Sequence, residues 1–319
     1  MVQIKENKNL KAKKTRKKWA TQWINSPLMD LDSPLNSYYT NAFNCSSKLE
    51  QKGKVVTSKY CNCRTCITCN SIRTASYIGG YGGQVLSFKD AQFLTLTAPT
   101  IQCYDSDTLR YFIDARESIW RKIYENARVG QKGNIELKGI RAMEITTRPD
   151  DYYHIHFHFI LDGVENAKWV KKQWLSHYPN AEPYLQVIKP ITSQGGLLEV
   201  FKYGTKFIDS EKKIVDGKIV KGYKIVAPER LDLIIRGLYK KRLISTFGGI
   251  RRVKDENVNE IVVESEIEDL ESLEFDTWLW VNDADWYSTG TGEKFSDFVA
   301  SKQFRRVFSD AYKKYNLEK

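Results

Sequence analysis

Residues 141–161 read RAMEITTRPDDYYHIHFHFIL, which is two β-forming stretches on either side of a Pro-Asp-Asp sequence. Apolar and polar residues alternate in both stretches, and this period of two predicts strands at 141–147 and 152–161. Residues 148–151 are predicted to form a tight turn, because Pro and Asp favour the backbone angles that turns require. The stretch therefore predicts an antiparallel hairpin, and the rest of the fold is interpreted around it.

The second strand carries three of the four histidines of the chain: His154, His156 and His158. Side chains alternate between the two faces of a strand, so the three imidazoles share one face. Such a row is typical of a divalent-metal site, although a polar sheet face without metal is the alternative. Glu144 lies opposite His156 if the turn is centred on Asp150, and opposite Ile155 if the centre lies half a residue earlier. In the first register Glu144 completes a two-histidine, one-carboxylate site suited to Mg²⁺ or Mn²⁺ acting on phosphate.

The other segments predict an α+β fold with an antiparallel sheet and helices on one face. We expect strands at 92–97 and 184–188, helices at 107–126, 165–177, 197–208 and 229–243, and a hairpin tip at 215–219. The glycine-rich stretch 77–83 is predicted to be a loop. Composition divides the chain into a basic N-terminal segment (1–40), a cysteine-rich zinc-binding segment (41–80), a central domain (85–250) and an acidic, aromatic C-terminal extension (251–319).

The chain has six cysteines: Cys45, Cys61, Cys63, Cys66, Cys69 and Cys103. Four fall within nine residues, where disulfides between near neighbours are sterically difficult. Close-spaced thiols in a reducing compartment favour a tetrahedral zinc site, and reduced thiols without metal are the alternative. Cys66 and Cys69 are spaced as a zinc knuckle. Cys61 and Cys63 compete for the third position, and Cys45 or the excluded one of these two supplies the fourth. The last of the six stands alone and is expected to be an ordinary buried residue.

The formal net charge of +11 favours a polyanionic partner, with nucleic acid first and a membrane surface second. The charge is uneven, because residues 1–254 carry a surplus of 20 positive charges and residues 255–319 a surplus of nine negative charges. The acidic run 255–285 is interpreted either as a solvated surface or as an interaction segment. A segment that folds back on the basic face is a further interpretation of the same run.

The N-terminal tract contains eight basic residues: Lys5, Lys8, Lys11, Lys13, Lys14, Arg16, Lys17 and Lys18. They either bind phosphate through counterion release or solubilise a tail whose start we expect to be poorly ordered. The tract has no apolar core segment, so a secretory signal is not predicted. No stretch of the chain approaches the roughly 18 apolar residues that a membrane span needs. We therefore expect a cytoplasmic protein without a membrane partner.

Residues 196–208 read GLLEVFKYGTKFI and carry four polar side chains of chemical interest: Glu199, Lys202, Tyr203 and Lys206. On a helix, Glu199 and Tyr203 are four residues apart and share a face. An ammonium group lowers the pKa of a nearby phenol and binds phosphate, and a carboxylate activates water. Alone, this pattern is more typical of a solvated helix surface, so its functional interpretation depends on the other motifs.

Together these motifs resemble the HUH endonuclease superfamily, in particular rolling-circle replication initiators of the single-tyrosine plasmid type. The segments that carry the resemblance are, in order, Cys61-x-x-Arg64-x-Cys66-x-x-Cys69 with Cys45 upstream, FLTLT at 93–97, His156-Phe157-His158 after MEIT at 143–146, Glu199-x-x-Lys202-Tyr203-x-x-Lys206, and Lys241-Arg242 followed by FGG at 247–249. The resemblance covers roughly residues 45–250. The chain departs from the family's pattern at Ile67 and Ile155, where Pro is common, and Cys63 and His154 are additional residues.

The resemblance implies an HUH-type antiparallel sheet and a DNA nickase and strand transferase that binds duplex and single-stranded origin DNA. For such a protein, the acidic C-terminus would be a binding segment for a host helicase or another replication protein. It implies that Tyr203 attacks the scissile phosphate, which leaves a 5′-phosphotyrosyl link and a free 3′-OH. The motif histidines 156 and 158, with Glu144, would hold Mg²⁺ or Mn²⁺. Lys202 and Lys206 would neutralise phosphate charge, and Glu199 would activate water to end the reaction by hydrolysis.

Other functions share parts of this pattern. The same chemistry would fit a phage initiator, a transposase of the superfamily or a plasmid mobilisation relaxase. A zinc-dependent nucleic-acid-binding regulator without enzymatic activity is the alternative from a different class, and in that case the histidines would be merely structural.

Overall fold

A computed structural model of the chain describes residues 2–52, 55–129, 135–191, 200–201, 208–215, 218–253, 275–282, 284–296 and 298–301. The fold is α+β with antiparallel sheets, as predicted. The chain divides into two compact units. We call residues 1–73, 210–228 and 256–319 the cysteine unit, and residues 74–209 and 229–255 the histidine unit.

The helices with described bounds are α1 (Val2–Met29), α2 (Asn36–Phe43), α3 (Ile67–Leu86), α4 (Ser106–Val129), α5 (Val164–His177) and α6 (Pro228–Gly237). The strands are β1 (Lys48–Lys52), β2 (Val55–Ser58), β3 (Ala91–Thr97), β4 (Ile101–Gln102), β5 (Gly139–Arg148), β6 (Tyr152–Asp162), β7 (Ile188–Pro190), β8 (Ile208–Val215), β9 (Lys218–Ile225), β10 (Ile244–Phe247), β11 (Phe275–Val281) and β12 (Asp285–Ser288). None of these helices is both long enough and apolar enough to cross a membrane.

The histidine unit is built on an antiparallel sheet with the strand order β10–β5–β6–β3–β7, and β4 pairs with the start of β6. β5 and β6 form the predicted hairpin, and Glu144 lies directly opposite His156. This is the register in which the turn is centred on Asp150. Asp150 and Asp151 have φ angles of 56° and 55°, in the left-handed region that Asp tolerates better than most residues. The Asp-Asp sequence therefore closes the turn and sets the register.

One face of this sheet packs on helices α4 and α5. Phe157 and Phe159 of β6 are fully buried, and their rings contact Trp174 of α5 and Trp120 of α4 at centroid distances of 5.7 and 4.6 Å. The indole N–H of Trp174 also donates to the carbonyl of Thr97 on β3, at 2.6 Å. Each buried aromatic side chain stabilises the fold by about 1.5–3 kcal/mol, so this core holds β6 and β3 firmly in place.

The other face of the sheet, which we call the histidine face, carries the three imidazoles beside a second apolar cluster. In this cluster Ala142 of β5 and Ile160 of β6 pack with Val85 of α3 and with Val200 and Phe201, which are helical. Helices therefore cover both faces of the sheet, and the prediction of helices on one face only is wrong.

Several predicted elements differ from the structure. The stretch 77–83 is the middle of α3 rather than a loop, because Tyr77 and Tyr81 stack on Phe201 and hold the glycine-rich segment in a helix. The strand predicted at 184–188 is a 3-10 turn at Pro183–Leu185 followed by β7, since proline at the first position of a helical turn favours that turn.

Elements after residue 196 also differ from their predicted bounds. α6 ends at Gly237 instead of residue 243, and a turn at residues 238–243 leads to β10, which pairs with β5. The helix predicted at 197–208 is described only at residues 200 and 201, which are helical, and at Ile208, where β8 begins. β8 and β9 pair as expected around the hairpin tip 215–219, and residues 216 and 217 lie outside the described residues.

The cysteine unit pairs two early strands with two late strands in one sheet, in the order β12–β11–β1–β2. Leu49 of β1, Trp278 of β11 and Trp286 of β12 are buried together in its core. The hydroxyl of Thr15 on α1 donates to the buried carboxylate of Asp285, at 3.2 Å. The N-terminal tract thus forms helix α1, which contacts strand β12 of the acidic extension through Thr15.

Candidate metal centres

The histidine face brings three ligand atoms to one point. Oε2 of Glu144 lies 2.8 Å from Nε2 of His156 and 2.8 Å from Nε2 of His158. We call these three residues the histidine centre. Adjacent ligands of a six-coordinate ion with bonds of about 2.1 Å lie about 3.0 Å apart, which is close to both of these distances from the carboxylate oxygen. The two imidazoles and the carboxylate could hold a metal ion and leave the remaining positions for other ligands.

Residues of β3 orient one ligand of the histidine centre. Thr95 is the register partner of His158, and its hydroxyl lies 3.2 Å from Nδ1 of the imidazole. The ring of Phe93 stacks on the same imidazole, with centroids 5.4 Å apart. When Nδ1–H donates to the threonine, Nε2 is the unprotonated nitrogen, which is the form that binds metal. Sequence reasoning missed both roles, because the strand that pairs with β6 on its second edge could not be identified.

His154 shares the face but not the centre. Within the described residues, the converging ligand atoms come from Glu144, His156 and His158. The ring centroid of His154 lies 5.2 Å from that of His156. Burial, followed by the nearby His156, lowers the pKa of His154 to about 4, so its imidazole is neutral at neutral pH. His154 is therefore a neutral polar side chain next to the histidine centre.

Four cysteines of the cysteine unit also converge: Cys45, Cys61, Cys66 and Cys69. Their sulfur atoms all lie within 4.8 Å of one another. Sγ of Cys69 lies 3.7 Å from Sγ of Cys45 and 3.6 Å from Sγ of Cys61. Sulfur atoms placed tetrahedrally about 2.3 Å from zinc would be about 3.8 Å apart. This cysteine cluster therefore has the dimensions of a structural zinc site.

Cys63 is buried but is not part of the cysteine cluster. Its thiol donates to the carbonyl of Tyr38, at 3.4 Å. The hydroxyl of Tyr38 in turn accepts the backbone N–H of Arg64, and burial raises the pKa of this phenol. The sequence spacing gave five candidate cysteines for the four ligand positions of a zinc site. In the structure, Cys63 is the one that does not belong to the cysteine cluster.

The surroundings of the cysteine cluster stabilise negatively charged sulfur. The backbone N–H of Cys69 donates to Sγ of Cys66, and that of Cys61 donates to Sγ of Cys45. α3 begins at Ile67, so Cys66 and Cys69 lie at a helix N-terminus, where the peptide dipoles favour a thiolate. Hydrogen bonds from the neighbouring thiols, that of Cys61 first, lower the pKa of Cys45. The hydrogen bonds to Cys45 in turn raise the pKa of Cys61 and of Cys66. Zinc requires deprotonated cysteines, so a bound ion would displace the protons of these two thiols.

Lys18 fixes the backbone that carries Cys45. Its ammonium group is 1% exposed and donates to the carbonyls of Phe43 and Cys45, at 2.8 and 2.7 Å. The ring of Trp280 lies 5.6 Å from the same nitrogen. Lys14 is buried as well. The expectation that the basic tract contacts phosphate or only solubilises a tail is therefore wrong for these two lysines, since both belong to the interior of the cysteine unit.

Two tryptophans of the C-terminal extension hold the segment after Cys45. The indole N–H of Trp286 donates to the carbonyl of Ser46 at 2.7 Å, across 240 positions of sequence. The backbone N–H of Trp280 donates to the carbonyl of Ser47 at 2.8 Å. The two indoles pack edge to face with centroids 4.7 Å apart. Strands β11 and β12 thus support the cysteine cluster, a role that no local sequence signal indicated.

The four polar residues of the predicted catalytic helix lie outside the described residues: Glu199, Lys202, Tyr203 and Lys206. Val200 and Phe201, which stand between them in the sequence, are buried on the histidine face. Phe201 stacks on Tyr77 and Tyr81 at centroid distances of 5.9 and 6.1 Å, and its carbonyl accepts the hydroxyl of Thr74 at 3.2 Å. The chain is therefore anchored on the histidine face two residues before the predicted nucleophile.

The last motif of the resemblance lies at β10. Lys241 forms ion pairs with Asp114 and Glu117 of α4, and Glu117 also pairs with Arg141 at 3.1 Å. Lys241 is therefore engaged inside the protein, and Arg242 is exposed.

No protein-family model, curated protein sequence or solved structure matches this chain. The functional conclusion therefore depends on the chemistry of the two metal centres and on the sequence motifs around them.

Proposed function

We propose that the chain is a metal-dependent endonuclease that nicks and rejoins single-stranded DNA at a replication origin, the activity of rolling-circle initiators. The observation that carries this proposal is the histidine centre, in which Glu144, His156 and His158 converge with contacts of 2.8 Å. It lies on an antiparallel hairpin whose opposite face is a packed core, as an HUH-type sheet requires. The surplus of 20 positive charges in residues 1–254 supports a DNA partner.

Mn²⁺ or Mg²⁺ would be held by Glu144, His156 and His158. Imidazole nitrogen suits Mn²⁺ better than Mg²⁺, which prefers oxygen ligands, so Mn²⁺ is the better probe. When bound, such an ion withdraws charge from an oxygen of the scissile phosphate. The three side chains are 10–16% exposed, so the centre can be reached from solvent. The cysteine cluster would hold zinc in a structural role.

Tyr203 is the proposed nucleophile. It follows Phe201 by two residues, and two residues of chain span at most about 7 Å. Phe201 is buried in the same cluster as Ala142, and Ala142 is the register partner of His158. Phe201 thus packs on the sheet face that carries the histidine centre, and this packing supports the choice of Tyr203 as the nucleophile.

In the proposed step, the phenol of Tyr203 loses its proton to solvent and its oxygen forms a bond to phosphorus. The bond from phosphorus to the 3′-oxygen breaks, and that oxygen takes up a proton to become a free 3′-OH. The phosphate remains a diester, so the reverse reaction rejoins the strand without ATP. Lys202 and Lys206 neutralise charge on the phosphate, and Glu199 activates the water that finally hydrolyses the phosphotyrosyl link.

The proposal is tested by trapping the covalent adduct. The full chain is incubated with Mn²⁺ and a randomised pool of single-stranded DNA labelled at its 3′ end, and protein-bound label is measured on a denaturing gel. We expect labelled protein for the wild type and none for Tyr203→Phe or for the double variant His156→Ala/His158→Ala. His177→Ala is the matched control, since this fourth histidine is exposed on α5, and it should form adduct at the wild-type rate.

Each component of the mechanism has its own contradicting result. Adduct formation by Tyr203→Phe at the wild-type rate would disprove the nucleophile. Release of the adduct by Glu199→Ala at the wild-type rate would disprove the hydrolytic role of that glutamate. A wild-type protein that binds DNA but forms no adduct with Mn²⁺ or Mg²⁺ would favour a zinc-dependent regulator without enzymatic activity.

A further inference from the structure

Residues 251–253 lie across helix α3 in the histidine unit, and we call them the arginine strap. The backbone N–H of Val253 donates to the carbonyl of Gly80 at 3.0 Å. The backbone N–H of Arg251 donates to Oε1 of Gln84 at 3.2 Å, and the side-chain amide of Gln84 donates back to the carbonyl of Arg251. Hydrogen bonds at both ends therefore fix the backbone of the strap on the helix.

The close approach of the strap requires glycine on α3. A Cβ atom at Gly80 would lie 2.7 Å from Cγ of Arg252 and 3.0 Å from the carbonyl oxygen of Val253, both too short for a normal contact. The guanidinium of Arg252 donates to the hydroxyl of Ser76 and lies 5.4 Å from the ring centroid of Tyr77. These contacts hold the side chain of Arg252 in place, in addition to the backbone of the strap.

The strap presents positive charge to solvent. Arg251 and Arg252 are both exposed. Within the described part of the chain, neither guanidinium forms an ion pair with an acidic side chain. Lys241 and Arg141, by contrast, form ion pairs with acidic residues of α4. Ser76 and Tyr77 hold the guanidinium of Arg252, and Gln84 fixes the backbone of Arg251. The two arginines are therefore preorganised for an anion to this extent, which reduces the entropy lost on binding.

The strap begins on the histidine face. Ile250, the residue before it, is buried in the cluster that contains Ala142 and Ile160. Ala142 is the register partner of His158, and Ile160 follows His158 by two residues on the same face of β6. A strand of DNA that reaches the histidine centre would therefore run along the face from which the strap projects.

We propose that Arg251 and Arg252 bind the phosphate backbone of the single DNA strand that the histidine face receives. Guanidinium groups bind phosphate oxygens through paired hydrogen bonds, so exposed arginines on a fixed backbone suit a phosphodiester chain. The inference rests on the proposed function for the identity of the ligand, and it assigns to the strap the part of binding that does not depend on base sequence.

The test measures binding without catalysis. Fluorescent oligo(dT) is titrated with the full chain in buffer without added Mg²⁺ or Mn²⁺, and anisotropy is recorded over a salt series. Each phosphate contact to a single strand contributes about 0.7 to the slope of log affinity against log salt. We expect Arg251→Ala/Arg252→Ala to lower the slope by about 1.4 and to weaken binding about 25-fold at about 0.1 M salt.

Two further variants make the result specific. Arg121→Ala/Lys122→Ala removes the same charge from an adjacent exposed pair on α4, which packs on the opposite face of the sheet, and should leave the slope unchanged. Arg251→Lys/Arg252→Lys keeps the charge and should retain the wild-type slope. An unchanged slope for the alanine strap variant, or an equal loss for the α4 pair, would overturn the proposal.

This result is separable from the proposed nuclease function. If the wild type forms the DNA adduct and Arg251→Ala/Arg252→Ala has the wild-type salt dependence of binding, the strap assignment fails and the nuclease proposal stands. If Arg251→Ala/Arg252→Ala has the expected lower salt slope and the wild type forms no adduct, the strap assignment stands and the nuclease proposal fails.

Discussion

Replacing Cys61 with serine should remove a zinc ligand, although a second cysteine lies only two residues away. Sγ of Cys61 lies 3.6 Å from Sγ of Cys69, the separation expected across a tetrahedral zinc site. Structural zinc contributes about 10–16 kcal/mol to small folded sites, which is about 2.5–4 kcal/mol for each of four thiolates if it is shared evenly. Because 1.4 kcal/mol is tenfold in affinity, Cys61→Ser should weaken zinc binding by about 10²–10³-fold.

Cys63→Ser is the matched control for this prediction. Cys63 comes from the same segment and is also buried, but its thiol donates to the carbonyl of Tyr38. A serine hydroxyl can donate to the same carbonyl, so we expect zinc affinity to remain at the wild-type value.

The two variants are compared by zinc content per chain after dialysis and by competition with a chromophoric chelator. Circular dichroism verifies that both variants fold. Equal losses of zinc affinity in Cys61→Ser and Cys63→Ser, or a larger loss in Cys63→Ser, would refute the assignment of the four ligands.

Three further predictions follow from single contacts. Thr95→Val removes the hydroxyl that holds an imidazole of the histidine centre, so it should weaken Mn²⁺ binding by about 10–100-fold in calorimetric titrations. Thr246→Val on β10 should leave that affinity unchanged, and equal losses would contradict the role of Thr95. Trp286→Phe deprives the carbonyl of Ser46 of its donor and should lower the free energy of unfolding by about 1–3 kcal/mol in urea, whereas unchanged stability would contradict the supporting role of β12. Burial raises the pKa of Cys103 to about 11, so its thiol should resist iodoacetamide at about pH 8 until the protein unfolds, and labelling at the rate of an exposed thiol would contradict this.

The histidine centre was largely predictable from the sequence. Alternation with a period of two places His156 and His158 on one face, and a turn centred on Asp150 places Glu144 opposite His156, as the structure shows. These relations are local, since 12 positions separate Glu144 from His156. The contribution of Thr95 was not predictable, because it depends on which distant strand pairs with β6.

Helix α3 shows how packing overrides local preference. Four glycines between residues 79 and 83 favour a loop on propensity alone. The structure instead uses the small residue at Gly80 to admit the arginine strap, and it stacks Tyr77 and Tyr81 on Phe201. Both reasons depend on residues more than a hundred positions away, so no local pattern could indicate them.

The spacing of the cysteines reduced the candidate zinc ligands to five residues but did not identify the four that converge. Cys61 and Cys63 are equally well placed in the sequence, and only the backbone conformation turns one thiol into the cluster and the other toward Tyr38. The support from Trp280 and Trp286 was also hidden, because hydrophobic patterning does not reveal which end of a chain completes a sheet.

The central claim is tested most directly by mass spectrometry of the protein–DNA adduct. The wild-type chain is reacted with Mn²⁺ and single-stranded DNA, the adduct is digested with nuclease and protease, and the modified peptide is sequenced. The account predicts a nucleotide 5′-phosphate on Tyr203 that depends on Mn²⁺ and is lost in His156→Ala/His158→Ala. A nucleotide on another residue, or an adduct that forms equally well in the histidine variant, would contradict the account.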